Sequence, residues 1–258
     1  MRLTFLGSGD AFCDWRVNYH NNAVVETAAG LVLLDCGMTA LQSMRELGLG
    51  AHDLAAVLVT HVHADHASLA PLLLERFFVG PQGPTWRSTR ICAPADVLVD
   101  VKGVLAPYFD GMNGPEGGHQ GGGLAGVLEA EEAHEIEVGG VHFRYFQVPH
   151  VRDGVWDKPA YGVELRVGPR RTVWSADTVF RRDWIEETAA DPDLVSFFHD
   201  CTFSPRFPDT VHTHFEELER LPAAVKARIT LMHHVAVPEG VDISAFAGAA
   251  ERHQRFEL

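Results

Sequence analysis

The segment 60–66, which reads THVHADH, constrains this chain more than any other feature, and it directly follows the apolar run Ala55–Val59. Imidazole and carboxylate groups are the ligands that hold zinc and similar divalent metals. A short buried strand ending in a polar turn would bring these side chains to one point. Burying them there without partners would be costly, which argues against a purely structural role. Two ligand pairs from one turn predict two adjacent metals rather than one. The four ligand-type side chains are His61, His63, Asp65 and His66.

Length and charge restrict the classes of protein that fit. A chain of 258 residues with 46% hydrophobic residues suits a large α/β domain, and no linker divides it, so we predict one hydrolase domain over 1–258. The formal charge is −14, from 21 basic and 35 acidic side chains. A protein that binds a phosphate backbone needs clustered Lys and Arg, so a nucleic-acid polymer is not the expected partner.

The cysteines and the N-terminal sequence predict a cytoplasmic protein. The cysteines are widely spaced without a C-x-x-C pair, which excludes a disulfide framework or zinc ribbon and favours thiols in a reducing cytosol. The N-terminal segment is too poor in apolar residues for a signal peptide, and no run has the length of a membrane span. No membrane partner is therefore expected. The cysteines are Cys13, Cys36, Cys92 and Cys201.

Hydrophobic periodicity predicts two clusters of strands, each followed by helices. Two sheets packed face to face with helices outside would bury these patterns. The glycine-rich segment 111–123 is predicted to be a flexible loop, with a lid over a site as the alternative. Strands are predicted at 3–6, 23–27, 31–35, 55–59, 90–93, 141–148, 161–167, 171–174, 194–198 and 229–232, and helices at 39–47, 67–78, 95–105 and 213–221.

Further ligand-type residues follow other predicted strands. His150 follows the strand that ends at 148, Asp177 follows 171–174, and the pair His233-His234 follows 229–232. Loops at strand ends carry chemistry on a rigid scaffold. These positions therefore supply the additional donors that two metal sites require.

This order of residues resembles the metallo-β-lactamase-fold superfamily, and the resemblance spans nearly the whole chain. Gly7-Ser8-Gly9, Leu34-Asp35-Cys36-Gly37 and Ser175-Ala176-Asp177-Thr178 are similar to other signatures of that superfamily. The resemblance implies an αββα sandwich of two mixed β-sheets with helices on the outer faces. It also implies two divalent cations, zinc first and manganese or iron as alternatives, which would activate a bridging hydroxide.

The resemblance also implies how the ligands divide. His61, His63 and His150 would hold one metal, Asp65, His66 and His233 the second, and Asp177 would bridge them. His233 is preferred over His234, which stays open as the alternative. Asp35 would support the ligands by hydrogen bonding.

Two features of the sequence indicate which branch of the superfamily this chain resembles. His63 stands where oxygen-reducing diiron relatives carry a carboxylate, which favours hydrolysis. The segments 199–203 and 211–214 are similar to a pattern in ribonuclease Z and related phosphodiesterases. Asp200 stands where ribonuclease Z has Glu, and His212 matches a histidine that assists the leaving group in that branch. An acid–histidine pair can serve as general acid. The predicted catalytic residues are Asp65, Asp200 and His212; alternatively, His212 and His214 only mark the start of a helix.

Ribonuclease Z itself fits poorly. Only 26 residues separate His150 from Asp177, too few for its tRNA-binding arm, and the acidic charge opposes tRNA. A small phosphodiester such as a cyclic nucleotide is therefore the expected substrate. The alternatives are a carboxylic-ester, lactone or β-lactam hydrolase, a tRNA 3′-processing endonuclease, and a metal-binding protein without activity. A homodimer is left open, since dimers are common among such relatives.

Two segments are candidates to line the walls of the substrate site; the alternative is that they are plain surface loops. Asn and Tyr side chains could bond a phosphate or a base edge. One wall would be Arg16, Asn18, Tyr19, His20 and Asn21, and the other Trp156, Asp157 and Lys158.

Overall fold

The computed structural model describes residues 1–80, 83–112, 122–151, 158–205 and 211–258. The strands are β1 (Arg2–Gly7), β2 (Asn22–Thr27), β3 (Gly30–Leu34), β4 (Leu54–Leu58), β5 (Thr89–Ala93), β6 (Leu128–Glu132), β7 (Glu135–Val138), β8 (Val141–Gln147), β9 (Tyr161–Val167), β10 (Arg170–Trp174), β11 (Leu194–Asp200), β12 (Ile229–Met232), β13 (Gly248–Ala249) and β14 (Arg255–Glu257). The helices are α1 (Ala40–Glu46), α2 (Ala70–Phe78), α3 (Ala95–Phe109), α4 (Leu124–Val127), α5 (Arg182–Ala190), α6 (Phe215–Glu219) and α7 (Ala223–Lys226), with a 3₁₀ turn at Ala51–Asp53.

The strands form two mixed sheets of seven strands each, in the orders β14-β1-β2-β3-β4-β5-β6 and β13-β12-β11-β10-β9-β8-β7. In the first sheet β1, β3 and β4 run in one direction, because β1 and β3 are both antiparallel to β2 and β3 is parallel to β4. In the second sheet β8, β10, β11 and β12 share a direction for the same reason. Each set of strands therefore brings its carboxyl ends to one edge of its sheet.

The sheets pack face to face through aromatic side chains. The ring of Phe5 on β1 lies 5.2 Å from that of Trp174 on β10 and 5.1 Å from that of Phe198 on β11, and all three side chains are buried. A separate apolar cluster joins the other face of the second sheet to α5 and α6 through Ile185 and Leu218. The predicted αββα sandwich of two mixed sheets is confirmed.

Most predicted elements are present, with changes at their ends. The helix predicted from 67 begins at Ala70, because the backbone amides of His66 and Ala67 both bond to the carbonyl of His63 in a tight turn. The helix predicted to end at 105 continues to Phe109, with Pro107 inside it. Most of the glycine-rich segment, 113–121, lies outside the described residues.

Two further predictions concern the cysteines and membrane-spanning segments. All four cysteines are buried and unpaired. No helix in the described ranges is long and apolar enough to cross a membrane.

Candidate active site

Seven predicted ligand residues meet where the carboxyl ends of strands from both sheets face each other. The loop after β4 carries the histidine-rich segment, and the loops after β8, β10 and β12 carry the rest. Their donor atoms form two groups that share Asp177. The first group is His61, His63, His150 and Asp177, and the second is Asp65, His66, His233 and Asp177.

In the first group, four donor atoms surround one point. The Nδ1 atom of His63 lies 3.1 Å from Nε2 of His61 and 3.2 Å from Nε2 of His150. The Oδ2 atom of Asp177 lies 3.6 Å and 3.7 Å from the same two Nε2 atoms. A tetrahedral zinc ion with bonds of about 2.0–2.1 Å requires donors about 3.3–3.4 Å apart. The four residues therefore fit a metal ion of that size.

The second group has the same compact form. Nε2 of His66 lies 3.3 Å from Oδ2 of Asp65 and 3.2 Å from Oδ1 of Asp177. Nε2 of His233 lies 3.2 Å from Oδ2 of Asp65 and 3.4 Å from Oδ2 of Asp177. The neighbouring His234 lies elsewhere, with its ring 6.0 Å from that of Phe203. The structure therefore places His233, the preferred residue of the pair, in this group.

The electrostatics of both groups suit cations. Burial lowers the pKa of His150 to about 4 and that of His61 well below its usual value, which leaves neutral imidazoles able to bind a metal. Burial opposes charge on His66 and His233 as well, but nearby carboxylates, Asp177 first, outweigh it and raise their pKa values. The buried carboxylates thus require positive charge beside them.

Two inward-facing donor atoms of the second group are buried and have no hydrogen bond within the described part of the chain: Nε2 of His66 and Oδ1 of Asp177. Both belong to the donor set described above. A buried polar atom without a partner costs free energy, and a bound cation would satisfy both at once. These unpartnered donor atoms, like the spacing between the donors, fit a bound metal ion.

Hydrogen bonds behind the donors fix which ring nitrogen faces the centre. Oδ2 of Asp35 lies 2.8 Å from Nδ1 of His66, and the Asp35 carboxylate also accepts bonds from the amide and hydroxyl of Thr60. Nδ1 of His150 lies 2.7 Å from the carbonyl oxygen of Val211. Each Nδ1 donates outward, so each Nε2 presents its lone pair to the site. The expected support from Asp35 is present.

The loops that carry these residues have unusual backbone. Asp35, Ala176 and His233 have φ values of 59°, 51° and 62°. Residues other than glycine rarely adopt positive φ, and such positions concentrate where a site over-determines the chain. A Cβ atom at Gly37 would lie 2.1 Å from the carbonyl oxygen of Asp65, so only glycine allows the loops after β3 and β4 to pack this closely.

Asp200 and His212 stand beside the second group. Oδ2 of Asp200 accepts a bond from the amide of Thr178 at 2.9 Å and lies 3.0 Å from Nδ1 of His212. Burial opposes ionisation of Asp200, but His212 and His233 outweigh it and lower its pKa to about 2. Burial likewise opposes charge on His212, and Asp200 outweighs it and raises that pKa. The result is a carboxylate paired with an imidazole of raised pKa, next to the metal-type donors.

Residues from both donor groups, together with His212, line a pocket of about 680 Å³. His212 is about a quarter exposed there, whereas His61 and Asp200 lie behind the surface. Sequence reasoning missed the apolar residues Phe12 and Met38 at its rim, because neither belongs to a motif. His214, for which the alternative was a place at the start of a helix, is the N-cap residue of α6 and also lines the pocket.

The residues of the first predicted wall do not line this pocket, and they contact other groups of the protein. Nδ2 of Asn18 donates to the hydroxyl of Ser8, and the Tyr19 hydroxyl donates to Glu46. Arg16 pairs with Asp14, and His20 and Asn21 are fully buried. In the second predicted wall, Lys158 pairs with Asp100 on α3, and Trp156 and Asp157 lie outside the described residues.

The αββα sandwich with histidine and aspartate donors at the strand ends is the architecture of the metallo-β-lactamase-fold proteins. Two solved structures share it over nearly their whole length. YhfI from Bacillus subtilis has a TM-score of 0.72 at 15% identity, covering 99% of this chain and 98% of that one. The short form of human tRNase Z has a TM-score of 0.67 at 15% identity, covering 100% of this chain and 99% of that one.

The sequence also matches one particular family of proteins with this fold. Residues 1–256 match the family model described as Anti-Pycsar protein Apyc1, and the chain belongs to that family. The Anti-Pycsar protein Apyc1 of Saccharibacillus brassicae is 29% identical over 241 residues, which cover 91% of this chain and 90% of that protein.

Proposed function

We propose that this protein is a metal-dependent phosphodiesterase that hydrolyses small phosphodiesters, with a cyclic nucleotide as substrate. The observation that carries the proposal is the placement of the Asp200–His212 pair beside two metal-type donor groups in one pocket. The description of the family supports it as well, since an anti-Pycsar activity implies degradation of a cyclic nucleotide.

The donor groups would hold two divalent cations in the division expected from the sequence. His61, His63 and His150 would hold one, Asp65, His66 and His233 the other, and Asp177 would contact both. When bound, such a pair lowers the pKa of water and neutralises charge on the phosphoryl oxygens. Zinc suits this mixture of nitrogen and oxygen donors, with manganese and iron as alternatives.

His212 would act on the leaving group. As water adds its oxygen to phosphorus, the bond from phosphorus to one ribose oxygen breaks, and that oxygen needs a proton. His212, whose pKa Asp200 raises, is exposed to the pocket and can donate this proton when its ring is protonated. Asp200 orients the ring through Nδ1, so Nε2 is the donating atom. The product is a nucleoside monophosphate with an intact ribose ring and a free ribose hydroxyl.

The size of the pocket agrees with a small substrate. A volume of about 680 Å³ lies in the range of pockets that enclose one small molecule. The formal charge of −14 opposes a long polyanion for the same reason as in the sequence argument. The proposed partner is therefore a small molecule rather than a nucleic-acid polymer.

The test is product analysis with purified protein. Each of the four common 3′,5′-cyclic nucleotides is incubated with the protein, with a chelator, and with metal restored after chelation, and the monophosphate is measured by chromatography. We expect turnover that the chelator abolishes and added metal restores. His61→Ala should remove it, whereas His134→Ala, at an exposed histidine on the surface, should not.

Hydrolysis of a lactone or of nitrocefin without any phosphodiester turnover would overturn the proposal. Bound metal with no turnover on any of these substrates would also overturn it, in favour of a binding protein.

A further inference from the structure

The lining of the pocket combines two kinds of side chain. Imidazole and carboxylate groups, including His63, Asp177 and His212, line it. The apolar side chains of Phe12 and Met38, which follow β1 and β3, line it as well. A cyclic nucleotide combines the same two kinds of group, an anionic phosphodiester and a planar base with apolar faces.

Phe12 is unusual in its exposure. Its side chain is 92% exposed, more than any other large hydrophobic residue among those described, and Met38 is 49% exposed. An isolated exposed apolar residue needs no explanation, but a phenyl ring at the rim of a pocket that holds the candidate chemistry does. Nothing in the proposed metal binding or proton transfer uses it.

The loop that carries Phe12 is held in place by its own hydrogen bonds. Oδ1 of Asp10 accepts a bond from the Phe12 amide at 2.9 Å, and the Asp10 carbonyl accepts one from the Cys13 amide at 3.2 Å. The bond from Asn18 to Ser8 closes the base of the loop. The backbone at Phe12 is therefore fixed before any ligand arrives, which reduces the entropy lost on binding.

We propose that Phe12 is the surface on which the base of the bound cyclic nucleotide stacks, with Met38 providing a further apolar contact. The inference rests on the proposed function and goes beyond it, because it assigns recognition of the base to residues that do no chemistry. Stacking needs only a π face, which every base has, so recognition by Phe12 tolerates different bases.

The test measures KM and kcat for Phe12→Ala, Phe12→Trp and the wild-type protein on the four 3′,5′-cyclic nucleotides. A fifth substrate, the 3′,5′-cyclic phosphate of 1-deoxyribose, lacks the base. We expect Phe12→Ala to raise KM about tenfold for all four nucleotides, with kcat within about twofold, and to leave the base-free substrate unchanged. Phe12→Trp should keep KM at or below the wild-type value.

Two controls separate the role of the ring from general damage. Tyr108→Ala removes an exposed aromatic side chain of α3 that does not line the pocket, and it should leave KM unchanged for every substrate. The thermal unfolding midpoint of Phe12→Ala should match the wild type, because an almost fully exposed ring contributes little to the core.

The outcomes distinguish the inference from the proposed function. An equal rise in KM on the base-free substrate, or no rise on any substrate, would overturn the role of Phe12 while the phosphodiesterase stands. A change in sedimentation of Phe12→Ala without selective loss of affinity for nucleotides would assign the ring to a contact between copies, which also overturns it. No turnover of any cyclic nucleotide by the wild type would instead overturn the proposed function itself.

Discussion

Asp35 illustrates how one buried carboxylate can set the geometry of a site it does not enter. Oδ1 accepts a bond from the Thr60 amide, and Oδ2 accepts one from the Thr60 hydroxyl and lies 2.8 Å from Nδ1 of His66. The loop after β4 is thereby tied to the loop after β3, and Nε2 of His66 is directed at Asp177. Groups that orient a ligand in this way affect metal binding almost as strongly as the ligands do.

The first prediction concerns this carboxylate. Asp35→Asn keeps the shape but removes the charge and one acceptor, so we expect metal affinity to fall about 10- to 100-fold. Competition with a chelator of known affinity measures the change. Asp183→Asn, at an exposed position in the first turn of α5, is the matched control and should bind metal as the wild type does. Wild-type affinity in Asp35→Asn would contradict the proposed support.

The second prediction separates the role of His212 from a structural one. His212→Ala should lower kcat on cyclic nucleotides by about 10²–10⁴-fold, because the departing ribose oxygen then leaves without a proton. The loss should be far smaller on bis-p-nitrophenyl phosphate, whose leaving group is stable as an anion. The ratio of the two losses is the measurement. Equal losses on both substrates would show that His212 does not protonate the leaving group.

At the scale of elements, an ion-pair network joins three neighbouring strands of the second sheet. Glu164 on β9 is buried and contacts Arg144 on β8 at 2.9 Å and Arg171 on β10 at 2.7 Å, with Arg166 of its own strand also at 2.7 Å. Burial opposes ionisation of Glu164, but the three guanidinium groups outweigh it and lower its pKa to about 2.

The third prediction follows from this lowered pKa. The network stabilises the folded state fully above about pH 4.5, the usual pKa of the group, and the contribution is lost as the pH falls towards 2. Glu164→Gln should therefore lower the free energy of unfolding by about 3 kcal/mol at pH 7, and the difference from wild type should shrink below pH 4.5. Urea denaturation across pH measures it.

An exposed glutamate of the same sheet provides the control for this prediction. Glu137→Gln on β7 should change the free energy of unfolding by less than about 0.5 kcal/mol at any of these pH values. A difference between wild type and Glu164→Gln that does not depend on pH would contradict the linkage.

Some strands and helices could be predicted from the sequence, and others could not. β4 is apolar throughout and β12 is apolar except for Thr230, so their burial is visible in the sequence. β6 reads LEAEE and β7 reads EIEV; both lie at sheet edges with exposed charged side chains, so neither produces the pattern of a buried strand. α5 was missed for a similar reason, since only Ile185 and Thr188 of its side chains are buried.

At the scale of the whole molecule, the site exists because two sheets direct the carboxyl ends of particular strands to a common edge. The donors come from positions as distant as Asp65 and His233, and their types and places after strands allowed them to be predicted. Phe12 could not be predicted in the same way, because its importance lies only in which pocket it borders. The positive φ values of Ala176 and His233 likewise have no counterpart in residue type.

The central claim is that the two donor groups around Asp177 each hold a divalent cation. The most direct measurement is the metal content of the purified protein after saturation with zinc and removal of excess, by inductively coupled plasma mass spectrometry against protein concentration. The account predicts two ions per chain. One ion per chain, or none, would contradict it.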